Sequence, residues 1–306
     1  MDWTTKIADA RQRIAGHAQI TPVMTSNVLA PVSVALKLEH LQHTGSFKAR
    51  GAFNTLLLQE VPPGGVVAAS GGNHGAAVAH AARALGHRAA IFVPEMAGPA
   101  KIALIKRTGA ALTVVPGEYA NALDAARAHE DATGAMAIHA YDAEATVAGQ
   151  GTCFAEWDAQ GLDADTVLIA VGGGGLLAGA LAHWQGRRRV VAVEPATSCA
   201  LHAARAKGGP VDVEVSGIAA NALGARRIGG IAFDLARAHL DDALRVEDAA
   251  IAEAQRALWQ AHRILVEPAG ACALAALRAG AYVPAPGERV AVLVCGGNIA
   301  PDPLAG

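Results

Sequence analysis

One lysine in this sequence stands where its amine could act as a nucleophile. Within Thr44–Gly51, which reads TGSFKARG, Lys48 follows an aromatic residue and opens a predicted helix that ends near Leu58. A helix N-terminus disfavours a nearby ammonium, and partial burial also shifts an amine toward its neutral form. A lysine that forms a Schiff base needs such surroundings. Taken alone, the segment is more typical of a surface lysine beside a capping serine, so the other motifs must decide.

Three glycine-rich loops follow predicted strands, at Gly71-Gly72, Gly172–Gly175 and Gly296-Gly297. Ligands of open parallel sheets bind beyond the carboxyl ends of the strands, where helix N-termini hold phosphate or carboxylate and glycine permits close approach. A tight turn could use glycine for its backbone angles alone. Four consecutive glycines exceed that need, which favours an anion-binding cup at Gly172–Gly175.

A dinucleotide site is the rival interpretation of the same loop. The segment Gly173–Ala178 has the spacing GxGxxA, and Glu194 ends the next predicted strand. This pattern fits the NAD-binding fingerprint, although the pattern alone is a weak signal. It accounts for none of Lys48, Asn73 or Cys295, so both interpretations stay open on local grounds.

Two further features are suited to ligand binding. The polar loop Ser70–His74 could hold a substrate carboxylate through its backbone N–H groups, and a helix cap there is compatible with that role. Cys295 ends a predicted buried strand. It is either a small core residue or a largely neutral thiol facing a ligand's ring nitrogen. The four cysteines form no CxxC pair, so neither a disulfide framework nor a zinc site is indicated.

The elements that must position these residues alternate between strands and helices. The predicted strands are Val32–Leu38, Val66–Ala69, Ala89–Val93, Leu112–Val115, Met136–His139, Val167–Val171, Val190–Val193 and Val290–Val294. The predicted helices include Thr4–His17, Lys48–Leu58, Pro99–Arg107, Tyr119–Glu130, a helix that follows Gly149–Thr152 and ends near Gln160, and Asp248–His262. This rhythm predicts an α/β fold with parallel sheets covered by helices.

Composition shifts near Gly64 and Asp142 suggest two lobes. We expect a small lobe over residues 65–141, set within a larger lobe formed by residues 1–64 and 142–306. The segment Ala206–Gly230 is rich in glycine and less regular, and it carries no assigned element.

The overall composition limits the classes of function. Apolar residues make up 52 % of the 306 residues and charged residues 17 %, and the net charge is −2. Such a chain can bury a large core and has no basic surface that would predict nucleic-acid binding. No apolar run reaches the roughly 20 residues that span a membrane, and the N-terminus does not resemble a signal peptide. We therefore expect a cytoplasmic protein with no membrane partner.

Six motifs, taken together and in this order, resemble the fold-type II pyridoxal-phosphate enzymes. They are most similar to the threonine/serine dehydratases and serine racemases, and the resemblance covers nearly the whole chain. The motifs are Thr44–Gly51, Ser70–Gly75, Gly149–Thr152, Gly172–Leu176, Glu267–Gly270 and Cys295–Asn298. The resemblance implies a two-lobed, tryptophan synthase beta-like α/β fold with the cofactor, pyridoxal 5'-phosphate, in the cleft between the lobes.

The resemblance also implies a role for each matching residue. Lys48 matches the lysine that forms the Schiff base with the cofactor, and Phe47 matches the aromatic residue that packs near the ring. Asn73 matches the residue that hydrogen-bonds the ring hydroxyl, and Cys295 matches the Ser or Cys that faces the pyridine nitrogen. Glu267 matches a pocket carboxylate.

Two loops complete the implied site. The loop that cups the cofactor phosphate corresponds to Gly172, Gly173, Gly174, Gly175 and Leu176. The loop that holds the substrate carboxylate corresponds to Ser70, Gly71, Gly72 and His74.

The chemistry expected from this site is β-elimination from an amino acid. The cofactor is an electron sink for the carbanion at Cα, and Lys48 is positioned to take the Cα proton. A thiol, with an ordinary pKa of about 8.5, is a poor counter-ion for a pyridinium. A long-lived carbanion is then disfavoured and prompt loss of a β-hydroxyl is favoured. We therefore expect an L-threonine/L-serine dehydratase that releases a 2-oxo acid and ammonia.

Two departures from the family pattern bear on the alternatives. Racemases carry a serine where this chain has Gly71, so racemisation, the runner-up of the same fold, is expected to be minor. A family metal site would pair Glu194 with an acidic residue at position 200, which is Ala200 here. Metal dependence is therefore unknown. A β-replacement synthase is a third possibility that the motifs match less well. A homodimer is carried over from the family. We expect no dedicated effector domain, because the chain ends a few residues after Asn298.

Overall fold

A computed structural model of the chain describes residues 2–97, 99–117 and 119–299. The described residues form two sheets with helices around them, as predicted. The strands are β1 (Val23–Ser26), β2 (Val34–Leu38), β3 (Val66–Ala69), β4 (Ala89–Pro94), β5 (Ala111–Val115), β6 (Met136–Ala137), β7 (Thr166–Ala170), β8 (Arg189–Pro195), β9 (Asp242–Val246) and β10 (Val290–Val294).

The helices lie between these strands along the chain. They are α1 (Trp3–Arg13), α2 (Lys48–Leu58), α3 (Asn73–Ala84), α4 (Pro99–Lys106), α5 (Tyr119–Thr133), α6 (Glu144–Ala159), α7 (Gly175–Trp184), α8 (Ala200–Lys207), α9 (Ala220–Leu223), α10 (Gly230–His239), α11 (Asp248–His262) and α12 (Pro268–Arg278).

The larger sheet has the order β1-β2-β10-β7-β8-β9. Strand β1 pairs with β2 antiparallel, and the other neighbours are parallel. Every residue of β7 and β10 is buried. Strands covered by helices on both faces read as continuous apolar runs, which is why the sequence identified these two strands.

The smaller sheet is wholly parallel, in the order β5-β4-β3-β6, and its strands lie between residues 66 and 137. The α/β class predicted from the sequence is confirmed. The division into lobes at residues 65 and 142 stays a prediction. Helix α2 belongs to the segment assigned to the large lobe, yet its apolar face packs into the core of the smaller sheet through Ala49, Ala52, Phe53 and Leu56.

Helix α6 begins at Glu144, so the prediction that a helix follows Gly149–Thr152 is wrong. The two glycines of that motif lie inside the helix, where they allow other helices to approach. A Cβ at Gly149 would lie 2.6 Å from the Cα of Gly51 on α2, and a Cβ at Gly151 would lie 2.6 Å from the Cδ1 of Ile7 on α1. Close helix packing, rather than a break in the chain, explains these glycines.

A buried ionic cluster fixes α2 against the larger sheet. Arg50 pairs with Glu39 at 2.7 Å and with Glu156 at 2.9 Å, and Lys37 pairs with Glu156 at 2.5 Å. Burial alone would raise the pKa of Glu39, but Arg50 beside it holds that pKa below its ordinary value. Arg50, the member of the cluster on α2, lies two residues after Lys48.

Candidate active site

A cavity lies beyond the carboxyl ends of β7 and β10, where parallel sheets bind ligands. It encloses about 450 Å³ of empty space, the open mouth included, which falls within the range of small-molecule sites. Most of the residues singled out in the sequence line it. They are Phe47, Lys48, Asn73, Gly172, Gly173, Gly174, Gly175, Leu176, Glu267 and Cys295.

Lys48 is the first residue of α2, as predicted. Its Nζ donates a hydrogen bond to the carbonyl oxygen of Ala140 at 2.7 Å, and it lies 5.2 Å from the centre of the Phe47 ring. Side-chain atoms reach the cavity, but the amine itself is largely removed from water. This burial lowers the pKa of Lys48 from 10.5 to about 8. An amine with this pKa is available as nucleophile and base much nearer neutral pH than an ordinary lysine.

The four-glycine loop leads into α7, and only one of its residues needs glycine for its backbone. Gly174 has a φ of +90°. The others are glycine because of close contacts: a Cβ at Gly172 would lie 2.8 Å from the Cα of Leu223, and a Cβ at Gly173 would collide with the ring of Tyr141. The first-turn N–H groups of a helix have no intrahelical acceptor and attract anions. The loop therefore has the architecture of an anion cup.

A series of hydrogen bonds through two amides and a carboxylate joins four separate segments beside the cavity. Asn73, at the start of α3, donates to Oε1 of Glu267 at 2.5 Å. Asn298 donates to Oδ1 of Asn73 at 2.9 Å and to the carbonyl oxygen of Thr44 at 2.7 Å. These bonds connect Glu267, Asn73 and Asn298 to the segment that carries Lys48.

Cys295 follows β10 and is buried. Its Sγ donates to the carbonyl oxygen of Ala269 at 3.3 Å, and its own carbonyl oxygen accepts the N–H of Phe47 at 3.3 Å. Burial, with Glu267 nearby, raises the pKa of Cys295 well above its ordinary value. The group at this end of the cavity is thus a neutral thiol.

The predicted carboxylate loop lies next to the cavity but does not line it. Ser70 accepts the N–H of Gly72 at 3.2 Å. His74 is buried and its Nε2 lies 2.8 Å from the carbonyl oxygen of Ile138. Burial, with Lys48 nearby, lowers the pKa of His74 to about 3. The ring is therefore neutral, and its Nε2–H donates to that carbonyl.

The sequence analysis missed two neighbouring residues that shape the site. Tyr141 lines the cavity against Gly173 and donates to the carbonyl oxygen of Arg227 at 3.3 Å. The carboxylate of Asp142 accepts the N–H groups of Gly230 and Ile231, each at 3.0 Å, at the start of α10. Neither residue belongs to a recognisable local motif. The one available signal was the composition shift near Asp142, which suggested a lobe boundary there.

Glu194 does not face the cavity. Its two carboxylate oxygens accept the N–H groups of Leu201 and His202, each at 2.8 Å, in the first turn of α8. Burial raises the pKa of Glu194 to about 7, although those two N–H groups favour its charged form. Across the described part of the chain, no cluster of three or more His, Cys, Asp or Glu side chains could hold a metal ion. No helix within the same residues is long and apolar enough to cross a membrane.

Comparisons with known proteins agree with this geometry. The family described as "Pyridoxal-phosphate dependent enzyme" matches residues 14–296. The chain is 35% identical over 300 residues to phenylserine dehydratase from Ralstonia pickettii, covering 95% of this chain and 92% of that protein.

Two solved structures share the fold. A threonine deaminase from T.th. has a TM-score of 0.89 and 35% identity, with 96% of this chain and 98% of that chain covered. Maize serine racemase has a TM-score of 0.91 and 30% identity, with 97% of this chain and 93% of that chain covered.

Proposed function

The chain belongs to the pyridoxal-phosphate dependent enzymes, and we propose that within this family it is an ammonia-lyase for β-hydroxy amino acids. The proposed substrates are L-threonine and L-serine, and the products are a 2-oxo acid and ammonia. The observation that carries the proposal is the pairing, in one cavity, of the Lys48 amine, whose pKa is lowered to about 8, with the neutral thiol of Cys295.

The cavity lining fits the cofactor of this family. The glycine loop at the start of α7 offers a cradle that Cβ atoms would fill, with helix N–H groups suited to a phosphate. Lys48 would hold the aldehyde carbon, Asn73 the ring hydroxyl and Cys295 the ring nitrogen. When bound, pyridoxal phosphate supplies the electron sink for the negative charge that develops at the substrate's Cα.

The protein's own groups then divide the remaining work. Lys48 takes the Cα proton, because its lowered pKa leaves a neutral amine available near neutral pH. The thiol of Cys295 stays protonated and donates to Ala269, so it provides no negative charge to hold a proton on the ring nitrogen. Charge at Cα is therefore short-lived, and departure of the β-hydroxyl is the outcome that this arrangement favours.

For racemisation, the protein would need a proton donor on the face of Cα opposite Lys48, and it lacks one at position 71. Gly71 occupies the position of the racemases' second serine and has no proton to donate. The surroundings also leave no room for one, because a Cβ at Gly71 would collide with Ala97 and lie 3.0 Å from Val93 Cγ1. We therefore expect racemisation to be slow relative to deamination.

The oxidoreductase alternative needs an acidic group near a nucleotide ribose. Glu194 was the candidate, and both of its oxygens are engaged by the first turn of α8. An NAD site built on Gly173–Ala178 is accordingly not part of the proposal.

The proposal extends to assembly and location. We propose a homodimer and a cytoplasmic location. Strand β1 lies at the edge of the larger sheet, and exposed apolar residues occur on it at Val23 and shortly after it at Val28. Exposed edges and apolar side chains of this kind are commonly covered by a second subunit. Sedimentation at twice the chain mass would support the dimer.

The test is an assay of purified holoenzyme with L-threonine and L-serine for 2-oxo acid, ammonia and D-serine. Equal amounts of 2-oxo acid and ammonia, with D-serine formed far more slowly, would support the proposal. D-serine formed as fast as pyruvate would overturn it in favour of racemisation. A substituted alanine formed on addition of thiol or sulfide, in place of 2-oxo acid, would favour the β-replacement synthase.

A further inference from the structure

A second, smaller pocket, here called the side pocket, adjoins the cavity. The two spaces share Ala222, Glu267 and Ala269 as common walls. Beyond these walls the side pocket is lined by Ile218, Ala219, Asn221, Pro268 and Asn298. The glycine loop does not line it, and the shared walls place it next to the space that Lys48 lines.

Few cationic side chains line the cavity and the side pocket. Among the described lining residues, Lys48 is the one cationic side chain, and neither arginine nor histidine occurs. The carboxylate of Glu267 stands at the junction between the cavity and the side pocket. A second carboxylate on a substrate would enter beside the Glu267 carboxylate and find no cationic side chain among the described residues of the side pocket, and like charges at close range are unfavourable.

The wall formed by Ile218 is apolar and held in place. The Ile218 N–H donates to Oδ2 of Asp248 at 3.1 Å. The preceding Gly217 has a φ of +83°, and Ser216 donates to the carbonyl oxygen of Thr197 at 3.0 Å. The residue Ile218 nevertheless stays 42% exposed. A large apolar side chain that lines a pocket and stays partly exposed is suited to cover an apolar group of a ligand.

Resting on the proposed function, we propose that the side pocket binds the β-substituent of the substrate and that Ile218 determines specificity there. The pocket selects uncharged, apolar substituents, from the methyl group of threonine to the ring of a phenylserine. It rejects a β-carboxylate, as in 3-hydroxyaspartate. Ile218 acts by covering the substituent, and Asp248 positions Ile218 through its backbone.

The first test compares kcat/KM of the wild-type holoenzyme for L-threonine, L-phenylserine and L-3-hydroxyaspartate. We expect both apolar substrates to exceed the acidic one by about tenfold or more, the scale on which pockets discriminate small groups. Ile218→Ala should lower kcat/KM for phenylserine several times more than for L-serine. Ile218→Arg should raise the ratio of hydroxyaspartate to threonine turnover by about tenfold.

Val283→Arg is the matched control, because Val283 is also an exposed apolar residue, 78% exposed, and it follows the far end of α12. It should leave all substrate ratios unchanged. Binding can also be measured without turnover. L-phenylalanine and L-aspartate lack the β-hydroxyl, so the enzyme cannot eliminate it from them. Titrated against the cofactor absorbance, L-phenylalanine should bind the wild type more tightly, and Ile218→Arg should reverse the order.

The outcomes separate this inference from the function on which it rests. Failure of every substrate, L-serine included, to yield a 2-oxo acid would overturn the proposed function. Turnover of L-serine with hydroxyaspartate preferred over threonine would overturn the inference alone. So would an Ile218→Ala variant whose kcat/KM falls equally for all substrates.

Discussion

The Nζ atom of Lys48 donates a hydrogen bond to the carbonyl oxygen of Ala140 at 2.7 Å. This bond joins the first residue of α2 to the segment between the smaller sheet and α6. The same segment places Tyr141 against the glycine loop and Asp142 on the N-terminus of α10. The reactive amine, the anion cup and a helix of the larger sheet are therefore held by three consecutive residues.

The first prediction concerns the protonation of Lys48. Burial lowers its pKa from 10.5 to about 8. Competitive labelling of the cofactor-free protein with acetic anhydride, from about pH 6 to about pH 11, should show Lys48 becoming reactive around pH 8 while surface lysines follow the ordinary lysine range. Mass spectrometry of the Lys48 peptide gives the profile. A midpoint with the surface lysines would contradict the structure.

The same shift predicts a change of stability with pH. A lowered lysine pKa means that the folded protein binds fewer protons than the unfolded chain between the two values. The free energy of unfolding of the cofactor-free protein should therefore gain a contribution as the pH rises from about 8 to about 10.5. Lys48→Met should remove that contribution, which urea unfolding at several pH values would measure. An unchanged pH slope in the variant would count against the buried ammonium.

The second prediction concerns Asp142. Its carboxylate accepts two N–H groups at the start of α10, and loss of such a cap costs about 1 kcal/mol, up to about 2 kcal/mol with the helix dipole. Asp142→Ala should lower the free energy of unfolding by that amount. Asp234→Ala, at an exposed position on the same helix, serves as the control and should have little effect. Equal effects of the two changes would show that the cap contributes nothing.

Much of the site could be predicted because its signals are local. The buried runs of β7 and β10, the glycine loop before α7 and the position of Lys48 at the start of α2 each follow from a few adjacent residues. The glycine loop after β7 and Cys295 after β10 meet in one cavity because the carboxyl ends of parallel strands lie at one edge of a sheet, and Asn73 reaches the same cavity from the end of β3 in the smaller sheet.

The remainder depended on contacts between distant segments. Gly149 suggests a break in the chain, and only the proximity of Gly51 shows that it serves helix packing. Tyr141 and Asp142 have partners more than 30 positions away, which no local pattern reveals. Helix α10 begins at the end of the irregular stretch Ala206–Gly230, and strand β9 follows it. Helix α10 is held by packing on α7, and β9 by pairing with β8.

The third prediction concerns the buried ionic cluster. Removing one partner of a buried ion pair leaves an uncompensated charge and costs about 3–5 kcal/mol. Arg50→Met removes the cation that pairs with Glu39 and leaves Glu156 with Lys37 alone, so it should destabilise the protein by this amount. Arg256→Met breaks an exposed pair with Glu253 and should cost less than about 1 kcal/mol. Comparable urea midpoints for the two variants would contradict the assigned importance of the cluster.

The fourth prediction concerns the reactivity of the cysteines. Burial raises the pKa values of Cys153, Cys272 and Cys295, and thiolates are the form that alkylating reagents attack. Iodoacetamide at neutral pH should modify Cys199, which is partly exposed, and spare the other three in the folded protein. Peptide mapping provides the measurement, with urea-unfolded protein as the control in which all four react. Rapid labelling of Cys295 in the folded protein would argue against a neutral thiol in the cavity.

The central claim is that Lys48 performs β-elimination on a hydroxy amino acid. It is tested most directly by measuring 2-oxo acid release from L-threonine and L-serine by the wild-type holoenzyme and by Lys48→Ala, with circular dichroism to verify folding. We predict turnover by the wild type and a loss of about a thousandfold or more in the variant, the scale of a lost general base. A folded Lys48→Ala protein that deaminates L-threonine at a rate near the wild type would contradict the account. So would a wild type that binds the cofactor through Lys48 and releases no 2-oxo acid.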